Sequence, residues 1–350
     1  MKKLFLLGLI SCLFLSCEKE HKIEKVERAF YYWKSSENWF NAKEMEMMDS
    51  LKIRKIYLKF FEVKHDETLG NIPISKNQFY DVSWYGERKK IDSVAIVPTV
   101  FIKNDVFIKS SRQEIDTLVS NVNHLVSKYY KDRFNRYPAF TEIQIDCDWT
   151  LKSKDNYFYF LKELTKLSKK ELSCTLRLYP YKYRTKMGIP PVKRATLMCY
   201  NLIQPFADKT KNSILDNKEL ESYLNVDGQY PIHLDVALPI FSWAHHYQYD
   251  EFKSFVNISE DFIKAACERK SGLWFEIKKD TSFNDVYFRV GDKIKYENVT
   301  QNQVNDAISE LKKKVKFDAK TTVTLFHLDS TITKKYNYET LTRFYTSFSK

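Results

Sequence analysis

Two aspartates stand two residues apart in the segment EIQIDCDWT, residues 142–150. Side chains alternate between the two faces of a strand, so Asp146 and Asp148 point the same way as Gln144, and the apolar residues between them point the other way. Hydrolysis of a glycosidic bond needs two carboxyl groups, one protonated and one ionised. Because neighbouring acids push each other's pKa values apart, we predict that Asp146 and Asp148 are a catalytic pair.

The same alternation places Lys59, Arg177 and Asp235 of other predicted strands on that face, and Glu62 follows directly after the second predicted strand. An ion withdrawn from water is costly unless a partner compensates it, so such a set is either a site or a paired network. In a network, Arg177 would pair with Asp146. Lys59 would likewise pair with Asp148. We favour the site and predict that all four bind substrate.

Three aromatic residues near predicted strand ends are candidate sugar-binding residues: Tyr179, Tyr200 and Trp243. A sugar ring has apolar C–H faces, which aromatic rings can cover, and a polar rim, which carboxylates and amides can bind. We therefore predict that these rings line sugar subsites. For any single tyrosine among the 23 in the chain, packing at the rim of the fold is the alternative.

Eight β-rich segments position these residues. The predicted strands are 29–33, 55–61, 93–101, 142–149, 174–179, 195–200, 232–241 and 321–327. Between them, apolar residues recur at the period of an amphipathic helix. Strands separated by helices form a parallel sheet, and eight such units predict an α/β fold, a (β/α)8 TIM-like barrel. In this architecture active sites lie at the carboxyl ends of the strands.

A longer connection separates the seventh and eighth predicted strands. It contains strand-like residues 273–277 and two apolar runs, 286–290 and 293–296, joined by Gly-Asp. That pattern is typical of a hairpin. We predict a small antiparallel β insertion at about 248–318.

The aspartate segment resembles the fourth-strand motif of chitinase-like glycoside hydrolases, which reads D-x-x-D-x-D-x-E. Asp146 and Asp148 match the second and third acids, whereas Ile143 and Thr150 stand at the positions of the first Asp and the final Glu. In that family the final Glu protonates the leaving oxygen, and the Asp two residues before it orients the N-acetyl group of the substrate. The resemblance therefore implies an orienting role for Asp148.

Thr150 cannot act as a general acid near neutral pH, so hydrolysis by this chain requires a proton from another strand, and Glu62 and Asp235 are candidates. A second resemblance covers more of the chain. The segments 30–35, 143–150, 175–192, 197–202 and 234–243 are similar to an uncharacterised family of bacterial lipoprotein TIM-barrel proteins related by fold to glycoside hydrolases. That resemblance implies a barrel and an extracytoplasmic setting, with no known activity.

The amino terminus resembles a bacterial export signal. Two lysines precede an apolar run, residues 4–15, which resembles a signal-peptide core. It is too short to span a bilayer, which needs about 20 residues. The Ser-Cys that follows resembles a lipobox, in which the cysteine takes a diacylglycerol and becomes the new amino terminus. We predict lipidation of Cys17, with Cys12, an ordinary cleaved signal or an uncleaved anchor as alternatives.

Cleavage before Cys17 gives the domain organisation: signal peptide 1–16, tether 17–28 and a glycoside-hydrolase-like barrel 29–350. Two acyl chains anchor a protein stably to a membrane. We therefore expect a cell-envelope protein held at the outer membrane by its lipid. The acidic residues after Cys17 also resemble the surface-export signal of some Bacteroidetes lipoproteins.

The composition indicates which classes of partner and cofactor the chain can bind. The net charge is +12, but Lys and Arg are spread along the chain, unlike the clusters that track nucleic acid. We predict a glycan ligand and no nucleic acid. The sequence contains neither GxGxxG nor a Walker loop, so we predict no nucleotide cofactor, and no other cofactor is expected.

Three functions compete. The leading interpretation is a membrane-anchored glycoside hydrolase that uses Asp146 and Asp148. The alternative, which Thr150 favours, is a non-catalytic glycan-binding lipoprotein on a degenerate hydrolase barrel. A third is a metal-dependent hydrolase, although its histidines lack HxH or HExxH spacing, and our site prediction contains no metal. Its candidate ligands are Asp146, Asp148, His233, Asp235 and His327.

Overall fold

The structure is a computed structural model that describes residues 23–80, 93–134 and 138–349. The strands are β1 (Lys25–Tyr32), β2 (Lys55–Asp66), β3 (Gly70–Ile74), β4 (Ala95–Ile102), β5 (Glu142–Asp146), β6 (Glu171–Arg177), β7 (Arg194–Met198), β8 (His233–Pro239), β9 (Ser242–Gln248), β10 (Glu251–Val256), β11 (Cys267–Ser271), β12 (Trp274–Ile277), β13 (Thr281–Phe283), β14 (Val286–Phe288), β15 (Lys293–Asn298) and β16 (Lys320–Phe326). The α-helices are α1 (Ala42–Ser50), α2 (Asn104–Lys109), α3 (Arg112–Phe134), α4 (Lys154–Ser168), α5 (Leu178–Lys182), α6 (Arg184–Met187), α7 (Asn217–Leu224), α8 (Glu260–Ala266), α9 (Gln301–Lys314) and α10 (Tyr338–Thr346).

Eight parallel strands close into a barrel in the order β1-β16-β8-β7-β6-β5-β4-β2. Closure follows because β1 pairs in parallel with both β16 and β2. The predicted TIM-like barrel is confirmed, and each predicted strand overlaps one of these eight. The short strand β3 adds antiparallel to the outer half of β2.

The helices cover the barrel with apolar stripes at the predicted period. On α3 the buried residues are Ile115, Leu118, Val119, Val122, Val126, Tyr130 and Phe134. Trp149, which follows β5, stacks on Tyr157 of α4 with ring centroids 5.3 Å apart. The apolar residues of the aspartate segment therefore face the helices, and the polar ones face the barrel interior.

Polar side chains fill the barrel interior in layers. At the amino ends of the strands, Lys55 Nζ lies 3.2 Å from Glu142 Oε2 and Arg194 Nε lies 3.2 Å from Asp235 Oδ2. Above them, the hydroxyl of Tyr31 donates to Gln144 Oε1 at 2.8 Å. This neutral middle layer separates the ionic network at the bottom from the mouth at the carboxyl ends.

A β-bulge in β2 decides which of its side chains reach the mouth. The register with β4 shifts between Lys59 and Phe61. Phe60 and Phe61 are both buried, and their rings contact Phe134 and Tyr129 of α3. The extra residue brings Glu62 back towards the side of Lys59, to which it is ion-paired at 2.6 Å.

The inserted segment between β8 and β16 is antiparallel. Strands β10-β9-β15-β12-β11 form one sheet, and β13 pairs with β14. The insertion begins earlier than predicted, at Ser242, and 301–314 forms α9, a helix that contacts α7 and α10 of the barrel. No helix in the described ranges is long and apolar enough for a bilayer crossing.

The hairpin predicted around Gly-Asp at 291–292 is wrong. β14 pairs with β13, whereas β15 pairs with β9 and β12. The reason is Asp292, whose buried carboxylate accepts hydrogen bonds from the Arg289 N–H at 2.9 Å and pairs with His246 Nε2 at 2.7 Å. These contacts tie the turn to β9 and direct the chain away from its preceding strand.

Candidate functional site

A pocket of about 140 Å³ opens at the mouth of the barrel, at the carboxyl end of β5. We call it the acidic pocket. Asp146, Asp148 and Arg177 line it, together with a set of apolar, aromatic and amide side chains: Tyr31, Trp33, Phe101, Met198, Tyr200, Asn201 and Phe326. The predicted pair of aspartates and Tyr200 therefore come together at one cavity.

Asp146 is the deeper of the two acids. It is 7 % exposed, and the Thr175 hydroxyl donates to its Oδ1 at 2.6 Å. Burial, and after it the charge of Asp148, raise the pKa of Asp146 to about 7 despite that hydrogen bond. Close to neutral pH, Asp146 can therefore carry a proton at the floor of the pocket.

Asp148 is held by Arg177. The guanidinium places Nε 2.5 Å from Oδ1 and Nη2 3.2 Å from Oδ2, and Nη1 donates to the carbonyl oxygen of Tyr200 at 3.3 Å. A fork of this kind fixes the position of the carboxylate. Half of the Asp148 side chain stays exposed, at 49 %, so the ion pair does not seal the pocket.

The pairing suggested for a closed network is wrong in its partners. Arg177 pairs with Asp148 and not with Asp146. Lys59 pairs with Glu62, and its ammonium lies 5.6 Å above the ring of Trp33. Lys59 and Glu62 therefore lie beside the acidic pocket, outside the set of residues that line it.

A second cavity, of about 760 Å³, lies between the barrel mouth and the inserted sheet. We call it the mouth cleft. It shares Trp33, Asn201 and Phe326 with the acidic pocket, so the two cavities adjoin. Further aromatic walls come from Phe241 and from Trp243, the residue predicted to line a subsite.

Two neighbouring side chains, Glu297 and Phe255, fix the orientation of the Trp243 ring. Its indole N–H donates to Glu297 Oε2 at 2.6 Å, and Phe255 packs on its ring at 4.8 Å. Glu297 is buried and ion-paired to Lys295 at 2.6 Å. Burial opposes the charge of Glu297, but hydrogen bonds from His245, Lys295, Ser213 and Trp243 lower its pKa to about 2. The fixed carboxylate holds the indole against the cleft.

Two predicted site residues lie elsewhere. Tyr179 lines neither cavity, because β6 ends at Arg177 and Tyr179 falls in α5, where it is 45 % exposed and packs on Tyr183. Asp235 is wrong because it is the third residue of β8, near the amino end. There it pairs with Arg194 and accepts from the Thr322 N–H at 2.6 Å.

The metal interpretation loses its ligand set for the same reason. His233 lies at the bottom of the barrel, where it contacts Asp235 and Asp318. His327 lines the mouth cleft, and burial lowers its pKa to about 4. Within the described ranges, no group of three His, Cys, Asp or Glu residues is arranged to hold a metal ion.

Thr150 occupies the position of the Glu in the resembled motif. It is exposed, and its hydroxyl lies 3.5 Å from Ser153 Oγ and accepts from Asn104 Nδ2 at 3.4 Å. Its backbone N–H is bonded to the Ser153 hydroxyl at 2.8 Å. This position therefore carries a neutral hydroxyl tied to the loop that begins α4.

Sequence reasoning missed several residues of the two cavities. Phe326 is the last residue of β16, and that placement was the available signal. Asn201 follows β7 with a positive φ of 52°, and its Oδ1 is buried without a hydrogen-bond partner. Lys335, on the wall of the mouth cleft, had no pattern to mark it. The predicted lipidation site, Cys17, lies outside the described residues.

Comparison with known proteins gives a fold. No family model and no curated protein matches the chain. A GH18 chitinase from Cycas revoluta in complex with (GlcNAc)3 is similar in structure, with a TM-score of 0.50 and 13 % identity over 93 % of this chain and 100 % of that one. A chitinase-like agglutinin from Robinia pseudoacacia has a TM-score of 0.52 and 12 % identity over 91 % and 99 % of the two chains. This chain therefore has the TIM-barrel fold of chitinase-like proteins.

Proposed function

We propose that this protein binds glycan chains at the barrel mouth without hydrolysing them. The observation that carries the proposal is Thr150, which places an exposed hydroxyl where the motif of chitinase-like hydrolases has its proton donor. Arg177 also engages both oxygens of Asp148, so this carboxylate is already committed to a cation. Both features favour binding over bond cleavage.

The mouth cleft supplies the binding surface. Its volume, about 760 Å³, falls within the range of small-molecule sites. Trp33, Phe241 and Trp243 offer ring faces for the C–H faces of sugars, and Asn201 offers a buried, unpartnered carbonyl oxygen for a sugar hydroxyl. An aromatic wall beside an unsatisfied acceptor can therefore contact both the apolar face and the hydroxyl groups of a sugar.

The choice of first ligand follows from the neighbours in fold. One is a chitinase in complex with (GlcNAc)3 and another is an agglutinin. We therefore choose N-acetylglucosamine trimers for the initial titration. The acidic pocket beside the cleft would receive one sugar, with Asp146 donating a hydrogen bond and Asp148 accepting one.

Isothermal titration with the trimer tests the proposal. We expect binding, a loss of affinity of about tenfold in Trp243→Ala, and a smaller loss in Asp148→Asn. Tyr179→Ala is the matched control, since it removes an aromatic ring outside both cavities. Equal affinities of wild type and Trp243→Ala would contradict the mouth cleft as the binding surface.

A second function, glycoside hydrolysis, is favoured by one specific observation. The pKa of Asp146 is raised to about 7 while its neighbour Asp148 is ion-paired with Arg177. A protonated and an ionised carboxyl group side by side are the pair that hydrolysis needs. Turnover of chromogenic glycosides, abolished in both Asp146→Asn and Asp148→Asn, would establish this function and overturn the first one.

We further propose that a lipid on Cys17 anchors the protein in the cell envelope, at the outer membrane. The apolar run at 4–15 and the Ser-Cys after it support this. In the native host, Cys17→Ser should move the protein from the membrane pellet to the soluble fraction and abolish labelling by a fatty acid. Cys12→Ser is the matched control and should remain in the pellet. Membrane association that survives Cys17→Ser would contradict the anchor.

A further inference from the structure

Lys335 projects from the wall of the mouth cleft without a counter-charge. It follows a 3-10 turn, Ser330–Lys334, and its Nζ donates to the carbonyl oxygen of Phe241 at 3.3 Å. The ammonium also lies 5.0 Å from the ring centroid of Tyr336. Within the described ranges no carboxylate lies within ion-pair distance of it.

The other charges of the cleft do not compensate it. Lys34 pairs with Asp329 at 2.9 Å, and Lys264 pairs with Glu260 at 2.8 Å. Asp261 also lines the cleft but is exposed. Of the three acids that line the cleft, Asp329 and Glu260 are thus already matched with other lysines, and Asp261 forms no ion pair with Lys335.

An ammonium in this position is costly. Burial lowers the pKa of Lys335 to about 7, and the charge of Glu260 offsets only part of that effect. A buried charge is stabilised when a partner of opposite sign is brought to it. The cleft is open to a ligand, so a ligand can supply the partner that the chain does not.

We propose that the mouth cleft selects glycans that carry an anionic substituent, a carboxylate or a sulfate, which forms an ion pair with Nζ of Lys335. The inference rests on the proposed glycan binding and names the chemical class of the ligand. The neighbouring aromatic rings, Trp243 and Phe241, hold the sugar ring while the ammonium of Lys335 binds the charged group of the glycan. A neutral glycan leaves the ammonium unpaired and binds more weakly.

Three ligands that differ at one position test the selection. They are the N-acetylglucosamine trimer, the same trimer oxidised to a carboxylate at C6, and the same trimer sulfated at O6. A charge-assisted hydrogen bond is expected to increase affinity about tenfold or more for the matching anion. The comparison between the oxidised and the sulfated trimer shows which anion the cleft prefers.

The variant Lys335→Met keeps the aliphatic stem and removes the charge. We expect its affinities for the anionic trimers to fall to its affinity for the neutral trimer, so that the advantage of the anionic forms is lost. Lys166→Met is the matched control, because it removes one surface lysine outside the cleft, and it should keep that advantage. Thermal unfolding of Lys335→Met should show no loss of stability, since no ion pair is broken.

The outcomes separate the two proposals. If wild type binds all three trimers equally, or if Lys335→Met still prefers the anionic forms, the selection is refuted while glycan binding stands. If none of the three trimers binds, glycan binding fails and the selection fails with it.

Discussion

Replacement of Asp146 by Asn is expected to stabilise the protein near and above neutral pH. Burial and the charge of Asp148 raise the pKa of Asp146 from 3.8 to about 7 in the folded chain. A carboxyl group with a raised folded pKa contributes stability below its unfolded pKa, and that contribution is lost as the pH rises through the folded value. Asn keeps an acceptor for the Thr175 hydroxyl and never ionises.

The magnitude follows from the two pKa values. One pKa unit corresponds to about 1.4 kcal/mol, so the interval from 3.8 to about 7 gives a difference of about 4 kcal/mol at about pH 8. At about pH 5 the unfolded carboxyl is ionised and the folded one is protonated, and the same linkage gives about 2 kcal/mol. The advantage of the Asn variant therefore grows between these two pH values and then levels off.

Urea unfolding followed by tryptophan fluorescence at several pH values measures this difference. Glu297→Gln is a control for which the change in stability has the opposite sign. Hydrogen bonds outweigh burial at Glu297 and lower its pKa from 4.5 to about 2. Glu297 should contribute about 3 kcal/mol above its unfolded pKa, lost as the pH falls towards 2. If Asp146→Asn is less stable than wild type at about pH 8, the pKa of Asp146 is not raised in the folded chain, and the proton-donor role falls with it.

Three further substitutions test the fold and the position of the site. Gly188→Ala should lower the free energy of unfolding by about 1–3 kcal/mol in urea, since φ is +80° and the new Cβ would lie 2.9 Å from Phe158 Cε2; unchanged stability would contradict that packing. Gln144→Leu should cost about 1–3 kcal/mol by the same assay because it leaves the buried Tyr31 hydroxyl without its acceptor, and a neutral result would mean that water replaces the amide. Asp235→Asn should destabilise by about 3 kcal/mol but leave glycan affinity unchanged, as Asp235 lies in the network at the bottom of the barrel; a loss of affinity without a loss of stability would return it to the site.

The aspartate segment shows which features of the site can be predicted from the sequence. Alternation along one strand is a local property of the backbone, so the common direction of Gln144, Asp146 and Asp148 follows from spacing alone. Gln144 indeed contacts Tyr31 inside the barrel, and Asp146 lines the acidic pocket. The number and type of the barrel elements follow in the same way, from apolar periods of two and 3.6 residues.

The height of a residue along the barrel axis cannot be predicted from the alternation of side chains along a strand. Asp235 and Asp146 both face inward, but Asp146 ends β5 whereas Asp235 is the third residue of β8. The end of a strand also determines the position of Tyr179. Because β6 ends at Arg177, Tyr179 belongs to the helix that follows. Strand ends depend on the register between neighbours, which is set by packing of the whole sheet.

By itself, then, the sequence determined that the chain builds an eight-stranded α/β barrel with an insertion before the last strand, and that two aspartates face its interior. Only the tertiary structure decided the partners of those acids, because an ion pair such as Arg177–Asp148 joins residues from different strands whose relative height no local pattern specifies. It also decided the bulge that aims Glu62 at Lys59 and the burial that leaves Lys335 without a counter-charge. Each of these depends on distances between segments far apart in the chain, and those distances exist only once the barrel has closed.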